Sequence, residues 1–399
     1  MKRNPNMTQL KANYLFPEIN SRKKQFLAKN PDASIISLGI GDTTEPIPQS
    51  IVQVLEEASS NLGMQKTYSG YGPEQGIQTL RQKIAQKIYT NQVNADEVFV
   101  SDGAKCDIGR LQMLFGSDIS IAVQDPAYPV YIEGSLIQGV TEVISMPCCP
   151  ENDFFPDLTT VPRTDLIYIC SPNNPTGAVA TKSQLEELVK FASNNRSIII
   201  FDAAYANYIQ DPSLPKSIFE IEGAREVAIE IGSFSKLAGF TGVRLGWTVI
   251  PKELKYDDGS SVRADWNRIT STIFNGASNI AQIGGCAVFE ESGFEEIKSL
   301  TKYYLDNASI IKEALENLGH EVFGGVNAPY LWVRFKGQKS WDVFQNFLEQ
   351  LHIVTTPGSG FGEAGEGYVR FTAFGHRENI LEAVERLKAG TFSNCCIAR

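Results

Sequence analysis

The chain has 399 residues, 42% of them hydrophobic and 21% charged, a composition that supports a substantial buried core and excludes a disordered protein. Its formal net charge of -10 argues against a general surface for nucleic acid or anionic membrane, since such surfaces carry an excess of basic residues. No run approaches the ~20 consecutive apolar residues of a membrane span, and the start of the chain lacks an apolar signal core. A cytoplasmic protein with small-molecule partners is therefore expected.

The chain is predicted to begin with an N-terminal arm, residues 1–45, that forms part of a small domain and contains an extended stretch at 35–38. A large domain at 46–288 follows. From about residue 97 it contains short β-rich runs, most of them followed by helical patterns, which indicates an α/β protein. Continuous apolar runs such as 197–201 are typical of strands buried on both faces, as in a mostly parallel sheet flanked by helices. The predicted strands are 97–100, 119–123, 141–146, 166–170, 197–201, 228–231 and 245–250.

After about residue 289 the pattern changes to that of a smaller α+β domain, which spans 289–399. It is predicted to contain a helix at 295–318, a strand at 330–335, a helix at 341–351 and a strand at 368–372. No repeat, low-complexity tract or long linker marks the domain boundaries, so they follow from pattern changes alone.

The cysteines and histidines do not suggest a metal or a catalytic triad. The three histidines are scattered, so neither a zinc site nor a Ser-His-Asp site is expected. The seven cysteines include adjacent pairs and no CxxC spacing, so reduced thiols are expected. Chemistry must then come from lysine, aspartate, tyrosine or a cofactor. The cysteines are Cys106, Cys148, Cys149, Cys170, Cys286, Cys395 and Cys396.

Polar residues that follow buried strands are candidates for a ligand site, because ligands bind beyond the carboxyl ends of such strands. Lys236 lies in a Ser-Phe-Ser-Lys turn before a glycine-rich stretch. An isolated lysine would normally be a surface charge, but one between two apolar strands should point into a cleft. Burial favours the neutral amine, which can condense with an aldehyde. Ser233, Ser235 and Arg244 offer donors for a phosphate.

Three further polar residues follow predicted strands. Asp202 could simply cap a helix, but beside a pyridine nitrogen its carboxylate would keep that nitrogen protonated and make the ring an electron sink. Tyr205 can hydrogen-bond a ring hydroxyl. Asn174 lies among turn residues and would be an ordinary loop residue in isolation; after a buried strand it becomes an amide donor at the ligand edge of the sheet.

A fourth candidate is the start of the helix that follows the strand at 97–100. The backbone amides of Ala104 and Lys105 would bind an anion there through unsatisfied donors and the helix dipole. The strand-to-helix turns lack a GxGxxG fingerprint, which argues against a nicotinamide-dependent dehydrogenase.

Together these motifs resemble the class I and II aminotransferases of fold type I over nearly the whole chain. The matches are Asn-Pro-Thr-Gly at 174–177, Asp-x-x-Tyr at 202–205, and Ser-x-Ser-Lys at 233–236 with an arginine eight residues after the lysine. The resemblance implies a PLP-dependent transferase in which Lys236 holds pyridoxal 5'-phosphate (PLP) covalently.

The same resemblance implies a role for each surrounding residue. Asp202 would face the ring nitrogen, Asn174 and Tyr205 the ring hydroxyl, and Tyr128 would stack on the ring. Arg370 would clamp the substrate α-carboxylate, a bidentate task suited to a guanidinium, although a surface strand arginine is the simpler interpretation of Arg370 taken alone.

The strings at 67–76, 101–110 and 13–16 resemble a diaminopimelate-specific branch of this family. That branch aminates tetrahydrodipicolinate with glutamate, in the synthesis of lysine and cell-wall precursors. The resemblance implies a homodimer with shared active sites, in which Tyr71 reaches the cofactor phosphate and Glu74 the distal part of the substrate, both from the neighbouring subunit. A helix-start carboxylate is the alternative for Glu74. Further site residues would be Tyr14, Gly41, Lys105 and Asn275.

Two other functions remain open at this point. The same scaffold supports other PLP reactions, such as β-elimination or a ring-forming synthase reaction. A non-catalytic binding protein that kept the fold is a second alternative, since fold does not imply function. The joint presence of Lys236, Asp202, Arg244 and Arg370 argues against it.

Overall fold

The computed structural model describes residues 1–10 and 14–390. The match at Asn13 and the cysteines Cys395 and Cys396 lie outside these residues. The strands are β1 Ile36–Ser37, β2 Val98–Ser101, β3 Ser120–Asp125, β4 Glu142–Pro147, β5 Leu166–Cys170, β6 Ile198–Asp202, β7 Ala228–Ser233, β8 Gly246–Val249, β9 Glu321–Gly324, β10 Tyr330–Arg334, β11 Ile353–Val354, β12 Thr356–Pro357 and β13 Tyr368–Thr372.

Helices connect and cover these strands. The α-helices are α1 Leu15–Lys29, α2 Gln49–Asn61, α3 Gln78–Lys87, α4 Ala104–Phe115, α5 Val130–Gln138, α6 Lys182–Asn195, α7 Ala224–Val227, α8 Phe234–Leu237, α9 Val262–Ile269, α10 Asn279–Val288, α11 Glu291–Asn317, α12 Ser340–Asn346 and α13 Arg377–Ala389. Short 3-10 segments are Pro5–Thr8, Ala95–Glu97, Pro150–Asn152, Ala206–Tyr208, Ile218–Glu220, Gly358–Phe361 and Glu363–Gly365, and π-helical segments are Thr270–Phe274 and Phe347–Leu351.

Seven strands form a central sheet in the order β2-β8-β7-β6-β5-β3-β4. Strand β8 runs antiparallel to both of its neighbours, and every other pair in this sheet is parallel. Alternate side chains of β6 are buried on opposite faces: Ile199 and Phe201 pack with α3, α6 and α10, and Ile200 packs with α4, α5 and α9. The prediction of a mostly parallel sheet flanked by helices is confirmed.

The direction of the strands brings the candidate residues to one edge. Strands β2, β3, β5, β6 and β7 all end at the same edge of the sheet, and the antiparallel β8 begins there. The turns that carry Lys105, Tyr128, Asn174, Asp202 and Lys236 therefore converge, because the carboxyl ends of parallel strands meet at one edge.

A second sheet of four antiparallel strands has the order β12-β13-β10-β9. Helices α11 and α13 cover one face of this sheet, and α1 and α12 pack on the other with the indole of Trp332. The short strand β1 pairs with β11, which joins the N-terminal arm to this smaller layer. The residue limits of the two predicted domains stay a prediction.

Several predicted elements differ from the observed ones. The strand predicted at 228–231 continues to Ser233, which carries the polar turn to the sheet edge. The helix predicted at 341–351 is α-helical only to Asn346 and then widens into a π-helical segment that ends before His352, whose φ is 54°. Apolar periodicity marks the buried face of such a segment but does not distinguish the two helix types.

Over residues 1–10 and 14–390, no helix combines the length and apolar character that crossing a bilayer requires.

Glu230 lies on β7 of the seven-stranded sheet, and its carboxylate side chain is buried. Its Oε2 accepts hydrogen bonds from Ser217 Oγ at 2.6 Å and from the Ile218 backbone N at 2.9 Å. Burial raises the pKa of Glu230 to about 7, because these donors only partly offset desolvation of the charged form.

We expect this carboxylate to make stability depend on pH. The folded protein holds the Glu230 proton more tightly than the unfolded chain, whose glutamate titrates near 4.5, so stability falls as pH rises from 4.5 through about 7. Glu230→Gln removes this titration and should flatten the curve of unfolding free energy against pH, measured by urea denaturation. The exposed Glu222→Gln is the matched control, and parallel curves for wild type and Glu230→Gln would contradict the assignment.

Candidate active site

A cavity of about 500 Å³ lies at the sheet edge where the polar turns converge. Its wall comes from both sheets and from the segment that follows β1. The predicted site residues that line it are Gly41, Ala104, Lys105, Tyr128, Asn174, Asp202, Tyr205, Ser233, Ser235, Lys236, Arg244 and Arg370.

Lys236 lies in the short helix α8, directly after β7, and its side chain is partly accessible from the cavity. Its Nζ donates to the backbone O of Gly41 and lies 5.4 Å from the centre of the Phe374 ring. The pKa of Lys236 is lowered to about 8, chiefly by burial; Asp42 opposes this shift, and the cations of Arg370 and Arg244 add to it. A substantial fraction of this amine is therefore neutral near pH 8.

Asp202 is the last residue of β6 and is buried. Its Oδ2 accepts a hydrogen bond from the Tyr131 hydroxyl at 2.8 Å, and its Oδ1 accepts one from the Ala204 backbone N at 3.0 Å. Burial raises the pKa of Asp202, and both donors oppose that rise. The carboxylate is thus fixed in position at the base of the cavity.

Tyr205 and Tyr330 join the two sheets at the cavity. Their hydroxyl oxygens are 2.6 Å apart, within hydrogen-bonding distance, and both side chains are buried. A Cβ placed on Gly41 would come within 2.2 Å of the Tyr330 hydroxyl, so this contact requires glycine at position 41. Burial raises the pKa of Tyr205 well above 10, so its hydroxyl keeps its proton.

Arg370 is buried on β13 and reaches across to the larger sheet. Its Nη1 donates to Asn174 Oδ1 at 2.6 Å, and its Nη2 donates to the Gly39 backbone O. The guanidinium carbon lies 4.5 Å from the centre of the Tyr330 ring and 4.9 Å from that of Phe361. Its Nε is buried without a hydrogen-bond partner, which leaves a donor for a ligand.

One side of the cavity is suited to an anion. Ser233 Oγ accepts from the Ser235 backbone N at 3.1 Å, and both hydroxyl groups line the wall. Helix α4 begins directly after Gly103, so its first amides have no intrahelical acceptor. A Cβ on Gly103 would lie 2.7 Å from Arg244 Nη2, so glycine lets that guanidinium approach the helix start.

Aromatic rings and one lysine form the outer wall. Lys105 Nζ lies 5.3 Å from the centre of the Tyr14 ring and 5.6 Å from that of Tyr128. The ring of Phe16 is 6.5 Å from Tyr128. Tyr14 is not among the residues that line the cavity; burial raises its pKa, and the neighbouring Tyr128 raises it as well.

Besides Tyr14, three predicted site residues lie outside the cavity of their own chain. Tyr71 is 93% exposed, and Glu74 and Asn275 are also exposed. These three form one surface patch, because Gly276 next to Asn275 approaches the backbone of Pro73 and Glu74.

Sequence reasoning missed Tyr131, Tyr330, Asp42 and Gly39. Tyr131 lies three residues after the predicted site residue Tyr128, in the first turn of α5, and its closeness in sequence to Tyr128 was an available signal. Tyr330 contacts Tyr205 beyond the end of a strand in the larger sheet, and the Gly39 backbone O accepts from Arg370; strand patterns reveal neither contact. Asp42 follows Gly41 in a segment without regular structure.

The family model for aminotransferase class I and II matches residues 33–387, so the chain belongs to the class I and II aminotransferases. It is 54% identical over 399 residues to the LL-diaminopimelate aminotransferase of Protochlamydia amoebophila, covering 97% of each chain, and 56% identical to the chloroplastic enzyme of Arabidopsis thaliana, covering 97% of this chain and 87% of that one. The solved L,L-diaminopimelate aminotransferase of Chlamydomonas reinhardtii superposes with a TM-score of 0.95 at 56% identity, covering 98% of both chains.

Aminotransferases of this class depend on PLP. The cavity fits that cofactor: it combines a lysine that is partly neutral near pH 8, a buried carboxylate, and an anion cradle of hydroxyls, a guanidinium and a helix start. No group of three or more histidine, cysteine, aspartate or glutamate side chains within the described ranges is placed to hold a metal ion.

We expect Lys236 to capture PLP with a characteristic pH dependence. The rate of capture by the apoenzyme should rise as pH passes through about 8, because only the neutral amine attacks the aldehyde. Borohydride reduction and peptide mass spectrometry should then find the adduct on Lys236, with the exposed Lys252→Ala as control. An adduct on another lysine, or a rate that rises only above about pH 10, would overturn the assignment.

Proposed function

We propose that this chain transfers an amino group between LL-diaminopimelate and 2-oxoglutarate, in the physiological direction from glutamate to tetrahydrodipicolinate. The observation that carries the proposal is identity of 54–57% over 97% of the chain to enzymes named for this activity. The cavity supports the proposal in two ways. The pKa of Lys236 is about 8, close to the value that a general base needs. The buried Arg370 also has an Nε donor without a hydrogen-bond partner.

When bound, PLP supplies a ring that delocalises the electron pair left at the substrate α-carbon after that carbon loses its proton. Lys236 would accept this proton on its neutral amine and deliver it to the cofactor carbon that keeps the amino group, so the proton leaves the α-carbon for good. Asp202 holds a proton on the ring nitrogen, and Arg370 binds the α-carboxylate and orients the Cα–H bond. Asn174 and Tyr205 hydrogen-bond the ring hydroxyl, while the Ser233 and Ser235 hydroxyls, Arg244 and the first amides of α4 bind the phosphate.

The active unit in this proposal is a symmetric homodimer. Apolar and aromatic side chains are unusually exposed near the Tyr71 patch, with Tyr68 at 67%, Met64 at 49% and Ile273 at 50%. The loop that carries Tyr71 is nevertheless held in place, because Asn279 Nδ2 donates to the Gly70 backbone O at 2.9 Å. A partner subunit would cover this patch and receive Tyr71, Glu74 and Asn275 in its own site. A cytoplasmic location stays a prediction.

The function is tested by product analysis. Purified enzyme supplied with LL-diaminopimelate and 2-oxoglutarate should form glutamate and tetrahydrodipicolinate in equal amounts. Ammonia release with no glutamate would instead indicate an elimination reaction on the same scaffold, and absence of turnover would indicate a different substrate.

We expect two inactive variants to complement each other in a heterodimer. Lys236→Ala disables the site that contains it, whereas Tyr71→Ala disables the neighbouring site, so a mixed dimer contains one site with both residues intact. Verified heterodimers should recover about half of the wild-type rate. Recovery no greater than the sum of the two homodimers would argue for sites built within one chain.

We expect Glu74 to distinguish the two substrates. The far end of LL-diaminopimelate presents an ammonium that glutamate lacks, and an unpaired buried charge costs several kcal/mol. Glu74→Gln should therefore reduce kcat/KM for LL-diaminopimelate by about tenfold or more while changing glutamate turnover little. The exposed Glu57→Gln on α2 is the control, and equal losses on both substrates would contradict this role.

A further inference from the structure

Tyr131 is a buried residue to which the proposed reaction assigns no role. It lies in the first turn of α5 with 2% of its surface exposed. Its hydroxyl donates to Asp202 Oδ2 at 2.8 Å, so a neutral phenol from the helical layer contacts the carboxylate at the end of β6.

The hydroxyl of Tyr131 is held firmly in place. Its ring stacks on Tyr168, with centroids 5.3 Å apart and an interplanar angle of 24°. Its backbone O accepts from Gln112 Nε2 at 3.1 Å and from Ser135 Oγ at 2.8 Å, so the residue cannot move away from Asp202 without breaking buried hydrogen bonds.

Tyr131 also supports the cavity wall. Its ring meets that of Tyr128 edge to face, with centroids 6.2 Å apart and an angle of 86°. One side chain thus contacts both the carboxylate and the aromatic ring that border the cavity.

The hydrogen bond affects the charge of Asp202. Burial raises the pKa of Asp202, which favours the neutral acid, and the Tyr131 donor opposes that rise. Burial and the nearby carboxylate raise the pKa of Tyr131 well above 10, so the phenol keeps its proton and remains the donor. A charge-assisted hydrogen bond of this kind stabilises the ionised carboxylate.

We propose that Tyr131 is a positioning residue that keeps the Asp202 carboxylate ionised and aimed at the ring nitrogen of PLP, an inference that rests on the proposed function. Without this donor Asp202 becomes more basic, and the proton shared with the ring nitrogen moves toward the carboxylate. The ring then loses positive charge and becomes a weaker electron sink.

The test replaces Tyr131 with phenylalanine, which removes the hydroxyl and keeps the ring. Holoenzyme is prepared with PLP labelled with ¹⁵N in its ring, and the nitrogen chemical shift reports protonation at that atom. Wild type should give a protonated-nitrogen signal, and Tyr131→Phe should shift it toward the unprotonated position. Tyr168→Phe removes a hydroxyl from the same aromatic stack without touching the Asp202 hydrogen bond, so it should leave the signal unchanged.

Kinetics give a second readout. Tyr131→Phe should lower kcat by about ten- to hundredfold, the loss expected when a hydrogen bond to a charged group is removed, with little change in PLP affinity. Thermal melting checks that each variant is folded at the temperature of measurement.

Asp202→Asn separates failure of this inference from failure of the proposed function. If Asp202→Asn shifts the ring-nitrogen signal and Tyr131→Phe does not, Tyr131 has no part in controlling that proton and the inference is wrong. If neither variant shifts it, Asp202 does not face the ring nitrogen, and the proposed arrangement of the site fails as well.

Discussion

The site depends on a buried guanidinium that has no carboxylate partner among residues 1–10 and 14–390. Arg370 is 1% exposed, yet its hydrogen bonds go to neutral oxygens of Asn174, Gly39 and Thr356. Burying a charge in this way is costly, and the surrounding dipoles and aromatic faces offset only part of that cost. A bound anion would supply further stabilisation. The carboxylate of the proposed substrate meets this need, which accounts for a buried arginine in the wall of the cavity.

The same arginine fixes where the two sheets meet. It projects from the smaller sheet and bonds to Asn174, beyond the end of a strand in the larger one. The hydroxyl pair Tyr205–Tyr330 and the bond from Lys236 to the Gly41 backbone O cross the same boundary. Residues predicted to bind the cofactor and the residue predicted to bind the substrate carboxylate are thereby held around one cavity. Burial lowers the pKa of Lys236 and the charge of Arg370 lowers it as well, so the proposed substrate clamp and the proposed catalytic base are electrostatically linked.

Much of this arrangement follows from local sequence. Continuous apolar runs predicted the strands of the larger sheet, and the polar turns after them predicted Lys236, Asp202 and Asn174, because parallel strands bring their carboxyl ends to one edge. Contacts that depend on the packing of one layer against another could not be predicted in this way. Tyr131 reaches Asp202 only because α5 lies over the end of β6, and Tyr330 reaches Tyr205 only because the second sheet faces the first.

In the proposed homodimer, a third group of residues would act in the site of the neighbouring chain. Tyr71, Glu74 and Asn275 lie together on the protomer surface, outside the cavity of their own subunit. Their role was predicted from the resemblance to a diaminopimelate-specific branch of the family. Neither local sequence patterns nor the fold of one chain indicates that role. Their exposure is consistent with the proposed homodimer.

Single-turnover absorbance spectra of the PLP-loaded enzyme test the proposed specificity most directly. LL-diaminopimelate and glutamate, each added without a 2-oxo acid, should convert the aldehyde form of the cofactor to its amine form, and meso-diaminopimelate should do so far more slowly. Conversion by glutamate but not by LL-diaminopimelate would contradict the proposed substrate, and absence of conversion by every amino acid would contradict an aminotransferase reaction.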